Sequence, residues 1–351
     1  MGKVRPRGEE VRRFILEHVS KHPRDITRLA ADHFEITRQA VNKHLQKLTR
    51  EGALNERGHT RSRSYSLAAI VKRAEEYPLT PDSAEDVIVR DHIAPVLGNQ
   101  PENVLNIWYY GLTEMINNAI DHSGGSRILV KIERTAVNTE ITLVDNGVGI
   151  FKKIQNAMKL LDERHAVLEL AKGKLTTDPA HHTGEGIFFT SRMFDSFEIL
   201  SGGVYFRHGF GEPEDYILER SRHNPGTSVW MALNNHTART SKKIFEQYTS
   251  GDEFGFTKTV VPVALAQYGD DKLISRSQAK RVLARIELFK TVILDFSGVS
   301  GIGQAFADEI FRVFPRKHPE IELLTNKSNS AVRRMIERAK AGDMPGESEL
   351  P

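Results

Sequence analysis

One segment of the 351-residue chain carries a carboxylate and an amide at helical spacing. Apolar residues predict a helix from about residue 105, and Glu114 and Asn118 lie four residues apart on it, so both side chains project from one face. A carboxylate can act as a general base. An amide oxygen is a ligand suited to Mg²⁺. We therefore expect chemistry on this face.

A second segment places an acid at the end of a strand. Alternating residues predict a strand at 141–144, with a partner strand at 127–134. Asp145 follows directly, and Gly147 and Gly149 come after it. Because glycine has no side chain, the backbone there can approach a ligand closely.

Two further glycine-bearing segments follow in order. Residues 182–187 contain Gly184 and Gly186 and open an apolar helix at 188–194. Backbone N–H groups at such a helix start can hold phosphate. Thr227 ends a Pro-Gly-Thr sequence that precedes another alternating strand.

Together these segments resemble the N box, G1 box, G2 box and terminal Gly-Thr of the GHKL superfamily, over roughly residues 82–238. That superfamily has the Bergerat fold and includes heat-shock chaperone ATPases, topoisomerase ATPase domains, MutL-like repair proteins, histidine kinases and anti-sigma-factor kinases. The resemblance implies an α/β sandwich that binds ATP with Mg²⁺. Neither a P-loop pattern nor a dinucleotide-binding glycine pattern occurs in the chain.

The resemblance also implies a role for each residue. Asp145 would accept a hydrogen bond from the adenine amino group, and Asn118 would hold Mg²⁺. Glu114 would activate water, or a protein serine in the kinases, and Thr227 would hydrogen-bond near the adenine-side acid or a phosphate. Four glycines would bring the backbone close to base and phosphates: Gly147, Gly149, Gly184 and Gly186.

Residues 151–183 resemble the lid that covers ATP in this superfamily. We predict a helix at 152–170, followed by a Lys-Gly-Lys loop. Lys174, or Lys172, would contact the γ-phosphate when the lid closes; the alternative is a solvated loop.

The first 75 residues are basic, with 17 Lys and Arg against nine Asp and Glu. Helices are predicted at 8–20, 26–34 and 38–50, followed by two short strands and a basic loop, and this order resembles a winged helix-turn-helix. Such a domain binds double-stranded DNA with its third helix in the major groove and its wing on phosphate. The candidate residues are Arg38, Gln39, Asn42, Lys43 and Lys47 on the helix, and Arg57, Arg61 and Arg63 on the wing. The alternative is a protein-binding helical module with a basic surface.

A polar linker is predicted at 239–256, and a β-α-β-α-β-α domain follows at 257–340. Residues 294–299 resemble STAS domains of anti-sigma-factor antagonists, which implies a protein partner or dimerisation. Those domains commonly carry Asp-Ser at the next helix start, where the Ser is phosphorylated. Gly303 and Gln304 stand there in this chain, so phosphorylation at that place is not expected. Residues 341–351 are predicted to be disordered.

The fold class that follows is α+β with three domains: 1–75, 76–238 and 257–340. The chain has no Cys, which excludes disulfides and thiolate metal sites, and it shows no signal peptide or membrane span, so we expect a cytoplasmic protein. The predicted function is an ATP-binding, slowly hydrolysing transcriptional regulator, and a homodimer would suit a palindromic operator. The alternatives are an anti-sigma-type serine kinase and, less well supported, a histidine kinase with His92 as acceptor.

Overall fold

The computed structural model describes residues 6–80, 82–175, 184–212, 214–249, 255–268 and 272–341. The N-terminal unit is a three-helix cluster with a β-hairpin. Thr37 caps its third helix, since the Thr37 hydroxyl accepts a hydrogen bond from the N–H of Ala40 at 3.2 Å. The apolar face of that helix is buried in a separate core. The elements are α1 (Pro6–His18), α2 (Ile26–Phe34), α3 (Arg38–Arg50), β1 (Leu54–Arg57) and β2 (Ser64–Leu67).

The central unit contains a five-stranded antiparallel sheet in the order β3-β4-β5-β7-β6. Its first strand spans residue 75, where we predicted a domain boundary, and pairs with its neighbour along its whole length. The strands are β3 (Val71–Pro78), β4 (Arg127–Arg134), β5 (Asn138–Asp145), β6 (Ser196–Gly209) and β7 (Tyr216–Asn234).

Helices of the central unit bury apolar side chains in one core with this sheet. The single helix predicted at 152–170 is two helices, because Lys159 adopts a left-handed conformation and Asp162 caps a new helix through the N–H of His165. The segments are α4 (Glu85–Val87), a π-helical turn (Ile88–Ile93), α5 (Ala94–Leu97), α6 (Glu102–His122), α7 (Ile150–Met158), α8 (Glu163–Lys172), α9 (Gly186–Met193) and α10 (Ser241–Gln247).

A helix, α10, lies within the segment that we predicted as a linker at 239–256. Thr240 caps this helix, and the Phe245 ring packs 4.6 Å from the ring of Phe189 and 5.4 Å from that of Tyr110. The described part of the segment is therefore packed onto the central unit.

The C-terminal unit has a three-stranded parallel sheet in the order β10-β9-β8. Its buried residues belong to the same continuous core as those of the central sheet. The helix predicted at 275–289 is interrupted at Arg285, which has a left-handed φ of 61°. The segments are β8 (Lys258–Pro262), a 3₁₀ turn (Val263–Ala266), α11 (Arg276–Leu283), a 3₁₀ turn (Ile286–Leu288), β9 (Thr291–Asp295), α12 (Gln304–Asp308), a π-helical turn (Glu309–Val313), α13 (Phe314–Lys317), β10 (Glu322–Asn326) and α14 (Ser330–Ala341).

Across the described ranges, no helix combines the length and apolar character that crossing a membrane requires.

Candidate functional site

A cavity of about 290 Å³ lies between the central sheet and helices α6, α7 and α9. Residues from four distant parts of the sequence line it. Six of the predicted site residues are among them: Glu114, Asn118, Asp145, Gly184, Gly186 and Thr227.

Helix α6 supplies the carboxylate and the amide of this cavity. Glu114 and Asn118 both line it, as their spacing predicts. A Cβ atom on Gly186 would lie 1.9 Å from Oε2 of Glu114. Glycine at the first position of α9 therefore lets the carboxylate lie against the start of that helix.

Asp145 is held at the end of β5 by two backbone donors. Its Oδ1 accepts from the N–H of Gly147 at 2.8 Å and from the N–H of Thr227 at 3.2 Å. The side chain is buried, and burial raises the pKa of Asp145 while the bonds from Gly147 and Thr227 oppose that rise. Gly226, at φ 73°, allows close approach, since a Cβ there would lie 2.0 Å from the Asp145 carbonyl oxygen.

Two predicted ligand-contacting glycines have a packing role and do not line the cavity. A Cβ on Gly147 would lie 2.2 Å from the Ser123 carbonyl oxygen, and a Cβ on Gly149 would lie 2.6 Å from the Ser201 hydroxyl. These glycines let the turn after β5 pack against the end of α6 and against β6. Their packing supports the turn, and their contact with a ligand through the backbone stays a prediction.

Thr227 links strand β7 to the start of α7. Its hydroxyl accepts a hydrogen bond from the N–H of Ile150 at 3.1 Å, and the residue also lines the cavity. Thr227 thus ties β7 to the helix that follows Gly149.

The two lysines of the Lys-Gly-Lys loop are not among the residues that line the cavity, and their contact with phosphate on lid closure stays a prediction. Lys172 is buried, and its ammonium lies 2.7 Å from Oε1 of Glu169. Lys174 Nζ donates to the carbonyl oxygen of Leu288 at 2.9 Å. Both side chains face the C-terminal unit. The His182 and Thr183 part of the third motif lies outside the described residues.

Sequence reasoning missed Lys153, the one Lys or Arg among the cavity-lining residues of the described chain. Its ammonium donates to the carbonyl oxygen of His122 at 2.7 Å, and His122 also lines the cavity. Burial lowers the pKa of Lys153, and Asp121 opposes that effect. Its position one turn into the helix after Gly149 was the available signal, but a Lys-Lys pair there is equally typical of a solvated surface.

The residues predicted to bind DNA lie along the outer face of α3 and on the β1–β2 hairpin. Arg38, Gln39 and Lys43 are exposed, while Asn42 and Lys47 are partly exposed. On the hairpin Arg57 is exposed. Arg63 lies 2.9 Å from Glu56 and is thus paired across the hairpin, which lessens its availability for phosphate. The side chain of Arg61 is not described.

The turn after β9 is closed by its own side chains. Asp295 Oδ1 accepts from the backbone N–H of Ser297 at 2.8 Å and from its hydroxyl at 2.6 Å. Gly303 precedes α12 and Gln304 begins it, so glycine and glutamine occupy the helix start that we compared with a phosphoacceptor position.

A family model described as a STAS-like domain of unknown function (DUF4325) matches residues 278–332. The resemblance of the C-terminal unit to STAS domains is therefore confirmed for that segment. No curated protein matches the chain.

Proposed function

We propose that this chain is an ATP-binding, DNA-binding transcriptional regulator whose central unit holds Mg²⁺-ATP and hydrolyses it slowly. One observation carries the proposal. Glu114, Asn118, Asp145 and Thr227 come from separate parts of the chain and line a single cavity, together with the glycines of the third motif. Helix and strand packing alone does not require these polar types to converge.

The sheet side of the cavity suits a purine. It is lined by the apolar side chains of Leu143, Ile199 and Val229. Binding sites for small organic ligands are commonly lined by apolar side chains in this way. Asp145 stands beside them as the acceptor for the adenine amino group. Because Gly147 and Thr227 both donate to Oδ1, the carboxylate is fixed in orientation before a ligand arrives.

The helix side of the cavity suits the phosphates. Gly184 and Gly186 line it at the start of α9, and backbone N–H groups at the start of a helix can hold an anion. Asn118 would hold Mg²⁺ through its amide oxygen, and the cation would offset the phosphate charge. Glu114 would orient and deprotonate the attacking water, in the manner of a general base.

The N-terminal unit supports the DNA-binding part of the proposal. Three cationic side chains and two amide side chains share the outer face of α3, and its opposite face is buried in the core of that unit. Such a face can enter the major groove, and a homodimer would then contact two half-sites. The STAS-like domain offers a surface for a protein partner or for dimerisation.

Nucleotide binding and turnover of three variants test the proposal. We expect Glu114→Ala to bind ATP with nearly wild-type affinity and to lose about 10²- to 10⁴-fold in turnover. Asp145→Asn should weaken binding by roughly 10- to 100-fold, since an acceptor for a charge-assisted hydrogen bond is lost. Glu102→Ala, an exposed acid at the start of the same helix as Glu114, is the control and should change neither.

Absence of ATP binding by the wild type, or full turnover by Glu114→Ala, contradicts the proposal. The same reaction with γ-phosphate-labelled ATP separates hydrolysis from serine phosphorylation of a partner. Label found only in inorganic phosphate supports a hydrolysing regulator, and label on a protein supports the kinase alternative. A histidine kinase is disfavoured by β3 and the short helices before α6, where such kinases place a two-helix hairpin.

A further inference from the structure

Helix α8 of the central unit is anchored in the C-terminal unit through the buried ammonium of Lys172, which also forms an ion pair within α8. The side chains of Glu169 and Lys172 are each 1% exposed, and Lys172 Nζ lies 2.7 Å from Oε1 of Glu169. The same ammonium donates to the carbonyl oxygens of Arg281 at 2.7 Å and Ala284 at 2.8 Å. These carbonyls stand at the end of α11, where helical carbonyls lack partners within the helix. Lys172 therefore caps a helix of the other unit.

Arg285 extends this anchor toward the end of α8. Its guanidinium donates to Oε2 of Glu169 at 3.1 Å and also to the carbonyl oxygen of Lys174. In return, Lys174 donates to the carbonyl oxygen of Leu288 at 2.9 Å, and its ammonium lies 4.9 Å from the centre of the Phe289 ring. Residues 284–289 of the C-terminal unit thus both accept hydrogen bonds from residues 172–174 and donate to them.

The segment that is held in this way runs directly into the wall of the cavity. Leu170 and Leu175 both line the cavity. The N–H of Leu175 donates to the carbonyl oxygen of Gly184 at 3.0 Å. A Cβ on Gly184 would lie 2.4 Å from the carbonyl carbon of Leu175, so the two backbones are in close contact. The position of Gly184 in the cavity therefore depends on Leu175.

We propose that the STAS-like domain is part of the nucleotide site, with Arg285 as the residue that positions its wall. Arg285 acts through Lys174 and Leu175 on Gly184, and it touches no ligand. This inference rests on the proposed nucleotide binding. Because coupling between two sites is reciprocal, nucleotide binding should also tighten the docking of residues 284–289. A partner that moves this segment would then change nucleotide affinity.

Calorimetric titration of the full chain with the Mg²⁺ complex of the non-hydrolysable ATP analogue adenylyl imidodiphosphate tests the inference. We expect Arg285→Ala to weaken binding by roughly 5- to 150-fold, the usual range for coupled sites. Arg285→Lys should fall between this variant and the wild type, since one ammonium cannot reach Glu169 and the Lys174 carbonyl together as the forked guanidinium does. Arg334→Ala, an exposed arginine on α14 of the same domain, is the matched control and should bind like the wild type.

A folded Arg285→Ala protein that binds with wild-type affinity overturns the inference. A purely structural role for Arg285 would lower the unfolding temperature and leave the affinity of the folded protein unchanged. If the wild type itself does not bind the analogue, the proposed function is contradicted instead. The experiment therefore distinguishes failure of the inference from failure of the proposed function.

Hydrogen–deuterium exchange of the wild type gives a second test that does not depend on how a variant folds. Adding the same analogue should slow exchange in residues 284–289 as well as around Asp145. Slower exchange around Asp145 with no change in residues 284–289 overturns the coupling.

Discussion

The two terminal units are attached to the central unit in different ways. The N-terminal unit has a hydrophobic core of its own, and the segment after β2 joins it to the central sheet, where the N–H of Ile70 donates to the carbonyl oxygen of Arg134 at 2.7 Å. The C-terminal unit shares one continuous core with the central sheet and accepts hydrogen bonds from the buried ammonium of Lys172 at the carbonyl oxygens of Arg281 and Ala284. The difference indicates that the packing of the first unit is independent of the cavity, whereas loss of the last unit would disturb the cavity.

The two modes of attachment have a thermodynamic consequence. Elements that share a core tend to unfold together, whereas a unit with a separate core can unfold independently. We therefore expect two unfolding transitions, one for the N-terminal unit and one for the central and C-terminal units together.

Removing the buried ammonium should destabilise the larger transition most. Lys172→Met keeps the length of the side chain but leaves Glu169 without its closest cation and two helix-end carbonyls without a donor. We expect a loss of about 3–5 kcal/mol in the free energy of unfolding. Denaturant unfolding followed by far-UV circular dichroism measures it.

The matched control for this prediction is an exposed pair in the N-terminal unit. Lys47 lies 3.6 Å from Glu51 on the surface of α3, so Lys47→Met should cost less than about 1 kcal/mol. Equal losses of unfolding free energy for Lys172→Met and Lys47→Met would contradict the difference between the units.

Bound nucleotide should stabilise the central and C-terminal units against unfolding and leave the unfolding transition of the N-terminal unit unchanged. At a free concentration of roughly 100 times Kd, a ligand that binds only the folded state raises the unfolding free energy by about 2.7 kcal/mol. Scanning calorimetry with the non-hydrolysable analogue should show this shift for the central and C-terminal units together. A separate transition of the C-terminal unit that does not respond to nucleotide would contradict the shared core.

DNA binding should respond to substitutions in the N-terminal unit alone. We expect Lys43→Ala to weaken binding across all DNA sequences, and to lower the slope of log affinity against log salt by about 0.9 for each phosphate that the protein no longer neutralises. Fluorescence anisotropy at several salt concentrations measures both quantities. Arg334→Ala in the C-terminal unit is the control, and a similar change of slope there would indicate that basic charge anywhere on the chain is sufficient.

Acid should weaken nucleotide binding through Asp145. In the proposed site the ionised carboxylate accepts a hydrogen bond from the adenine amino group. Because burial raises the pKa of Asp145, affinity should begin to fall at a higher pH than for an ordinary aspartate. The sign follows because protonation, which removes the acceptor, becomes more complete as the pH drops. Titrations from roughly pH 4, near the ordinary pKa of an aspartate, up to neutral pH measure the fall in affinity. The Asp145→Asn variant gives the pH dependence that comes from the ionisation of the ligand. Identical pH profiles for both proteins would exclude Asp145 as the titrating group.

The sequence predicted those parts of the cavity that depend on local geometry. Helical spacing placed Glu114 and Asn118 on one face, and the alternation before Asp145 placed that acid at a strand end. The C-terminal strand-and-helix order was likewise visible, and the family match covers residues 278–332.

The anchor of α8 could not be predicted in the same way. Lys172 resembles a solvated lid lysine in the sequence, yet its carbonyl partners Arg281 and Ala284 lie more than one hundred residues later. The pairing of β3 with β4 and the packing of α10 are also non-local contacts, and so the sequence did not predict a strand across residue 75 or a helix within 239–256. Composition alone does not distinguish a polar linker from a short capped helix.

A crystal structure of the chain with Mg²⁺ and an adenine nucleotide tests the central claim most directly. The account predicts density for the adenine ring beside Asp145 and for the metal beside Asn118, with the phosphates at the start of α9. Nucleotide bound elsewhere on the chain, or a cavity that closes around its own apolar side chains, would contradict it.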